Sequence, residues 1–483
     1  MRTVLLWFLL GSSLLAQTVA PQVSKFIRTD APVIALTHVR VIDGTGAPAR
    51  EDQTILLRNA KIDWLGDAAA ANLPKDTQVL DLHGDSVIPG LVGMHEHMFY
   101  PAGDAIFHEM PISFPRLYLA AGVTTIRTAG SIEPYMDLAL KRMIDAREAV
   151  GPHIHVTGPY LEGPGTWAPQ MTELKTPEEA VETVNFWADR GVDNFKAYNF
   201  ISHVVLKAAI DAAHKRGLKI TGHLCSIGFR EAAALGIDDL EHGIIVDTEF
   251  YSGKKPDRCP LTSGASVAAV ADELNKMQVS GAPIQGMIHD LVAHHVAVTS
   301  TLPVMELFAP DKMPMQQRVL DAMSEQARAQ FLQARVHMDL PPKDPKTGEL
   351  RPSPWGRAYE QEKEFERAFV QAGGLLLAGE DPTGIGGDLA GFGDQREVEL
   401  LVEAGFTPLE AIHIATSNGA QYLGESDRIG TLAPGKQADL VVIKGDPSKS
   451  IEDIENVEVV FKDGIGYDST KLIDSVRGLV GIR

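Results

Sequence analysis

The feature that most constrains the fold is a repeat of short apolar runs alternating with helical segments through the middle of the chain. The runs are Val87 to Met94, Gly122 to Arg127, His153 to Gly158, Asp193 to Asn199, Leu218 to Leu224, Asp239 to His242, Val296 to Leu302 and Leu375 to Gly379. Apolar runs of this kind mark strands covered on both faces, as in parallel sheets. Helix signals lie between several of them. Ser202 to Lys215 stops at Arg216-Gly217, and Pro177-Glu178-Glu179 opens a helix with acids in its first turn. Eight strand–helix repeats predict an α/β fold, closed as a (β/α)8 barrel over residues 87–424.

The two ends of the chain read differently. Val33 to Ile42 alternates apolar and polar residues and ends in Asp43-Gly44-Thr45-Gly46. Short strands follow at Thr54 to Leu57, Lys61 to Leu65 and Gln78 to Leu82, and again near the other end at Ala438 to Ile443 and Val457 to Phe461. Strands of this length between turn residues indicate antiparallel pairing. They predict a small β-sandwich domain built from residues 21–86 plus 425–483. The stretches 250–272 and 303–373 are too long for simple connections and read as insertions over the barrel mouth.

The start carries a targeting signal. Met1-Arg2-Thr3 precedes the apolar run Val4 to Leu10, and small residues lead to Ala16-Gln17. This predicts a signal peptide within residues 1–20, cleaved after Ala16 or else Ala20, and hence an exported protein, periplasmic or secreted. The run is shorter than the roughly 20 residues of a spanning helix, so no stable membrane insertion is expected after cleavage. A net charge of −20 with a pI near 5.2 works against binding nucleic acid or anionic membranes. A small-molecule substrate is the expected partner, and homo-oligomerisation is left open. Cys225 and Cys259, the two cysteines, form neither a disulfide framework nor a C-x-x-C metal motif; one bridge between them is undecided at this level.

The chemistry concentrates at strand ends. His95 and His97 finish the first run, and side chains two apart on a strand share a face, so both imidazoles can meet one cation. His153 and His155 repeat the spacing but begin their strand, which makes them structural. His223 and His242 end the fifth and sixth runs, at the same height in successive repeats, and are predicted ligands; His294-His295 and the other histidines are not. Asp381 follows the eighth run and can bind metal and move a proton, whereas alternation sends its neighbour Glu380 the other way. Lys196 lies inside an apolar strand, which is costly unless it is paired or altered. Carboxylated by CO2, it becomes an anionic ligand able to join two metals; otherwise it pairs with Asp381 or with a substrate carboxylate. Tyr198 shares its face and is a candidate hydrogen-bond donor to a substrate carbonyl.

This array of His95-Glu96-His97 after Val87-Ile88-Pro89-Gly90-Leu91-Val92, Lys196, His223, His242 and Asp381 resembles the amidohydrolase superfamily. Ala120 to Thr125, Asp211 to Gly217 and Ile429 to Leu440 match as well. The resemblance implies a distorted TIM-like barrel plus a β-sandwich made from both termini. The resemblance is nearest the binuclear prolidase-like and imidazolonepropionase-related branch, and within it Lys196 places the chain nearer the binuclear prolidase-like dipeptidases than the mononuclear deaminases and imidazolonepropionases. Two departures concern the pocket: Glu380 replaces the usual threonine before the aspartate, and Thr128 stands where relatives often carry an acid. The implied function is an exported amidohydrolase that cleaves an amide or peptide C–N bond of a dipeptide or N-acyl amino acid by metal-activated hydroxide. Two divalent metals are expected, zinc by default with manganese, cobalt or iron as alternatives. His95, His97 and Asp381 hold one, His223 and His242 the other, and carboxylated Lys196 bridges; Asp381 and Tyr198 are the catalytic side chains. The rival readings are a mononuclear deaminase or cyclic-amide hydrolase, with Lys196 unmodified, and a non-catalytic binding protein.

Overall fold

In the computed structural model, which describes residues 19–482 apart from 104–105, 167, 261–262, 311, 342 and 344–346, the first apolar run is not one strand. Ser86–Pro89 pairs antiparallel with Leu440–Ile443, and Leu91–Glu96 pairs parallel with Val123–Thr128. Gly90 makes the change of partner. A Cβ there would stand 2.0 Å from Thr124 Oγ1, so glycine leaves the room that the Thr124 side chain occupies. The chain thus passes between two sheets in a single residue. The signal-peptide expectation falls almost wholly outside the described residues.

Strands from both ends of the chain share one nine-stranded mixed sheet. Its N-terminal members include Val33–Val41, Arg50–Arg58 and Lys61–Asp67; Leu440–Ile443, Val457–Lys462 and Ile465–Asp468 come from the far end. Alternation sorts the side chains. Leu440 and Val442 join Ile34, Leu36, Ile55 and Phe461 in a core of the sheet's own, whereas Val441 and Ile443 face the opposite way into the main core of the molecule. The sheet is therefore clamped to the rest of the protein by every second residue of its central strand.

The remaining runs form two parallel ladders. His153–His155, Val123–Thr128 and Leu91–Glu96 make one, and the other runs from Thr172–Glu173 and Thr157–Glu162 through Asn194–Ala197, Lys219–Gly222, Asp239–Glu241 and Ala297–Ser300 to Leu376–Ala378. The third run is also split, at Val156: its first half pairs with Val123–Thr128 and its second with Asn194–Ala197. Backbone bonds cross between the ladders at Ser131 N to Gly158 O, 3.1 Å, and Asp381 N to His95 O, 3.0 Å. Helices alternate with the strands, so the chain is a mixed α/β protein. Thr176 and Glu179 form a capping box at the start of Pro177–Ala188.

Among the described residues of 303–373 the chain forms Gln317–Ala322, Glu325–Met338 and Trp355–Gln371, all helices. The other long stretch is stapled by a disulfide. Cys225 and Cys259, 34 residues apart, have Cα atoms 4.8 Å from each other and are bridged. Among the described residues, no helix is long and apolar enough to cross a membrane.

Candidate metal centre

Strand alternation turns His95 and His97 inward and Glu96 outward. The inward rings stand 5.2 Å apart; His95 is also 4.6 Å from the His242 ring, which lies 4.6 Å from that of His223. Asp381 sits among them. Its Oδ1 is 3.3 Å from His97 Nε2, and its Oδ2 is 3.8 Å from His95 Nε2 and 3.9 Å from His242 Nε2. Lys196 and Tyr198 line the same cavity, of about 180 Å³. The structure therefore brings all seven residues singled out from the sequence to one place.

The far nitrogens of three rings are anchored. His95 Nδ1 is 2.6 Å from Glu241 Oε2, His97 Nδ1 is 3.2 Å from Gly130 O, and His242 Nδ1 is 2.6 Å from Thr301 Oγ1. A carboxylate and a carbonyl only accept, so the protons of His95 and His97 are assigned to Nδ1 and their Nε2 lone pairs face the cavity. Burial, aided by Lys196, lowers the pKa of His95 to about 4 and that of His223 to about 3. Burial and the neighbouring rings hold His242 well below the usual value too. Neutral imidazoles are the ligand form. Burial opposes ionisation of Asp381, but the contacts with His95 and His97 outweigh it and hold the carboxyl well below its usual range. Three ring nitrogens and a carboxylate that converge within one buried cavity form a donor set of the kind that holds a cation. The donor set thus fits a divalent metal.

Backbone strain marks the same spot. His242 has φ 68° and Asp381 φ 58°, both in the left-handed region that non-glycine residues avoid. Thr383 steadies Asp381, its hydroxyl donating to Oδ1 at 2.8 Å and its amide to the Asp381 carbonyl at 2.6 Å.

Lys196 Nζ lies 3.6 Å from Glu241 Oε1, not against Asp381, which corrects the ion pair considered from sequence. Burial lowers its pKa from the ordinary ammonium value. Glu241 is the residue that sequence reasoning missed. It contacts His95 and Lys196, accepts from the Thr221 hydroxyl, and receives Arg127 Nη2 at 3.0 Å. Arg127, fully buried, also binds Asp239 Oδ2 at 2.7 Å. These cations and His95 keep Glu241 well below its usual pKa despite burial, whereas burial and Glu241 itself push Asp239 up to about 6. Two acids at i and i+2 in a buried strand, Asp239 and Glu241, were the available signal.

Tyr198 stands edge-on to Tyr160 at 4.9 Å and 5.0 Å from the His223 ring; burial raises its pKa, so the phenol keeps its proton and can donate. Glu380 faces away from the cavity, accepting from Asp394 N at 2.9 Å, in a buried acid group with Glu96. His153 and His155 lie away from the cavity. His153 Nε2 is 3.5 Å from Asp439 and 3.4 Å from Asp463, and His155 contacts Asp193 at 3.3 Å and Glu425 at 3.5 Å. Thr128 Oγ1 accepts from Thr157 N, so it serves the junction between the ladders.

The chain is similar to several known proteins. The imidazolonepropionase of Deinococcus radiodurans is 23% identical over 399 residues, covering 82% of this chain and 86% of the relative. A bottromycin amidohydrolase structure superposes with a TM-score of 0.70 at 20% identity, over 95% of this chain and 94% of the other. A Xaa-Pro dipeptidase with methionine bound in its active site gives 0.64 at 19% identity, over 90% and 100%. The model of the amidohydrolase family matches residues 86–298 and 379–465, which is more than half of the sequence. The chain belongs to the amidohydrolase family, as a metal-dependent hydrolase acting on carbon–nitrogen bonds.

Proposed function

We propose that the protein is an exported binuclear amidohydrolase that cleaves the amide bond of a small substrate, a dipeptide or an N-acyl amino acid. In this reading the two parallel ladders are the two parts of one distorted (β/α)8 barrel, and the centre sits at its strand ends. His95, His97 and Asp381 hold one divalent metal, zinc by default, and His223 and His242 hold a second. Lys196, carboxylated by CO2, would supply an anionic ligand shared by the two. Its full burial supports this, since an ammonium is costly there unless it is paired or chemically altered. When bound, the metals supply Lewis acidity at the amide carbonyl and activate water at neutral pH.

The residues do the rest. Tyr198 donates a hydrogen bond to the carbonyl oxygen as negative charge develops there. Asp381, ionised and braced by Thr383, takes a proton from the attacking water and returns it to the leaving nitrogen as the C–N bond breaks. Glu241 fixes the tautomer of His95. The observation that carries the reading is the convergence of His95, His97 and His242 Nε2 on the Asp381 carboxylate, at 3.8, 3.3 and 3.9 Å. The disulfide between Cys225 and Cys259 supports an oxidising compartment, and with it export.

One observation favours a second reading. Lys196 Nζ has an anionic partner in Glu241, so an unmodified lysine with a single metal is also satisfied at this position. Screening metal-loaded protein against dipeptide and N-acyl amino acid libraries, with and without a chelator, tests the activity. Chelator-sensitive release of a free amine supports it, and turnover that ignores the chelator rejects it. N-terminal sequencing of exported material should begin near Gln17; a retained Met1 rejects export.

A further inference from the structure

The wall of the cavity on the His97 side is apolar. Phe99, Ile132, Tyr160 and Met171 form a cluster of their own, with Phe107 and Tyr198 packed against it. Phe99 stacks on the His97 ring at 4.3 Å and meets Phe107 edge-on at 5.0 Å. The wall is built from separate segments held in register. Gln170 grips the Phe107 backbone on both sides, accepting from its amide at 2.8 Å and donating to its carbonyl at 3.0 Å. This ties the hairpin of Phe99–Gly103 and Ile106–Glu109 to the loop that carries Met171. Among the described residues lining the cavity, the lysine, histidines and aspartate all belong to the metal centre.

Resting on the amide-hydrolase reading, we infer that one of the two groups flanking the scissile bond is an uncharged aromatic or branched apolar group seated on this wall. A carboxylate placed there leaves water without a counter-ion. An ammonium gains a contact with aromatic faces but likewise loses its hydration. The cavity, about 180 Å³ against roughly 300 Å³ at the small end of drug-sized sites, suits a compact group of this kind.

The test uses metal-loaded protein and two matched amide series. In each, one side of the bond is varied through benzyl, isobutyl, carboxyethyl and aminobutyl while the other side stays methyl. In one series, kcat/KM should favour benzyl and isobutyl over both charged members by about 100-fold or more, the scale of leaving a buried charge unpaired. Phe107→Lys and Met171→Lys should each shift that preference toward carboxyethyl with metal content unchanged. A charged member that matches benzyl and isobutyl in both series, or variants with unaltered preference, overturns the inference. Binding of benzohydroxamate and of a carboxyalkyl hydroxamate, measured calorimetrically, reads the wall without turnover. Tighter benzohydroxamate binding with no hydrolysis of any amide rejects the small-amide substrate reading and keeps the apolar wall; equal affinities reject the wall.

Discussion

Replacing Glu241 by glutamine tests how the site is preorganised. The shape is kept, but one acceptor becomes a donor. Glu241 now serves four partners: His95 Nδ1 at 2.6 Å, Arg127 Nη2 at 3.0 Å, the Thr221 hydroxyl, and Lys196 at 3.6 Å. Three of these present their protons to one carboxylate. A glutamine that keeps its oxygen toward Arg127 and Thr221 must aim its NH2 at His95. The ring then carries its proton on Nε2, where the metal lone pair is needed. Losing such an orienting partner costs roughly 10- to 100-fold in metal affinity or activity. Arg127 keeps Asp239, so the stability loss should fall near or below the about 3–5 kcal/mol of a fully broken buried pair. The protein should therefore still fold. Metal retained after dialysis against a buffered chelator reads the affinity, and thermal melting of the metal-free form reads the stability. Wild-type metal retention and turnover in Glu241→Gln would refute the claim that this carboxylate sets the tautomer.

Three further outcomes follow from particular contacts. His153→Ala should keep its metal while His95→Ala loses it, as read by metal analysis; equal loss would reverse the choice between the two His-x-His pairs. Opening the disulfide by Cys259→Ser removes the closure of a 34-residue loop and should cost about 3–4 kcal/mol in denaturant unfolding; an unchanged midpoint rejects a structural role for the bridge. Burial lowers the pKa of His155, but Asp193 and Glu425 outweigh it and raise it from 6.5 to about 9. Because the folded value is raised, this stabilisation is complete below pH 6.5 and is lost as pH climbs through 9. It should amount to at most about 3 kcal/mol, absent in His155→Gln; a wild-type stability flat across that window contradicts the pairing.

What could be read from the sequence was what repeats. His95, His97, His223, His242 and Asp381 each close an apolar run or directly follow one; strand periodicity puts His95 and His97 on one face, and the shared height of the strand ends brings in the others. Gly90 shows the limit. Its necessity comes from Thr124 on the neighbouring strand, so nothing in Val87 to Met94 announces that the run belongs to two sheets. Glu241 was hidden for a similar reason, since its partners Arg127, Thr221 and Lys196 lie on three other strands. The disulfide depends on a distance in space that 34 intervening residues do not encode. The apolar wall is assembled from the hairpin, the segment around Ile132 and the loop before Met171, each unremarked in isolation.

The central claim, a two-metal hydrolytic site joined by Lys196, is tested most directly by titrating metal-free protein with zinc. Bound metal per chain and amide hydrolysis are followed together for wild type, Lys196→Ala and Lys196→Arg. The account predicts two metals per wild-type chain, with activity completed by the second. Lys196→Ala should lose at least one metal and most activity, partly restored by acetate or bicarbonate, and arginine should not rescue, because a guanidinium cannot become an anionic ligand. A single metal that saturates both binding and turnover, unaffected by either substitution, would contradict the account and favour the mononuclear site with Lys196 paired to Glu241.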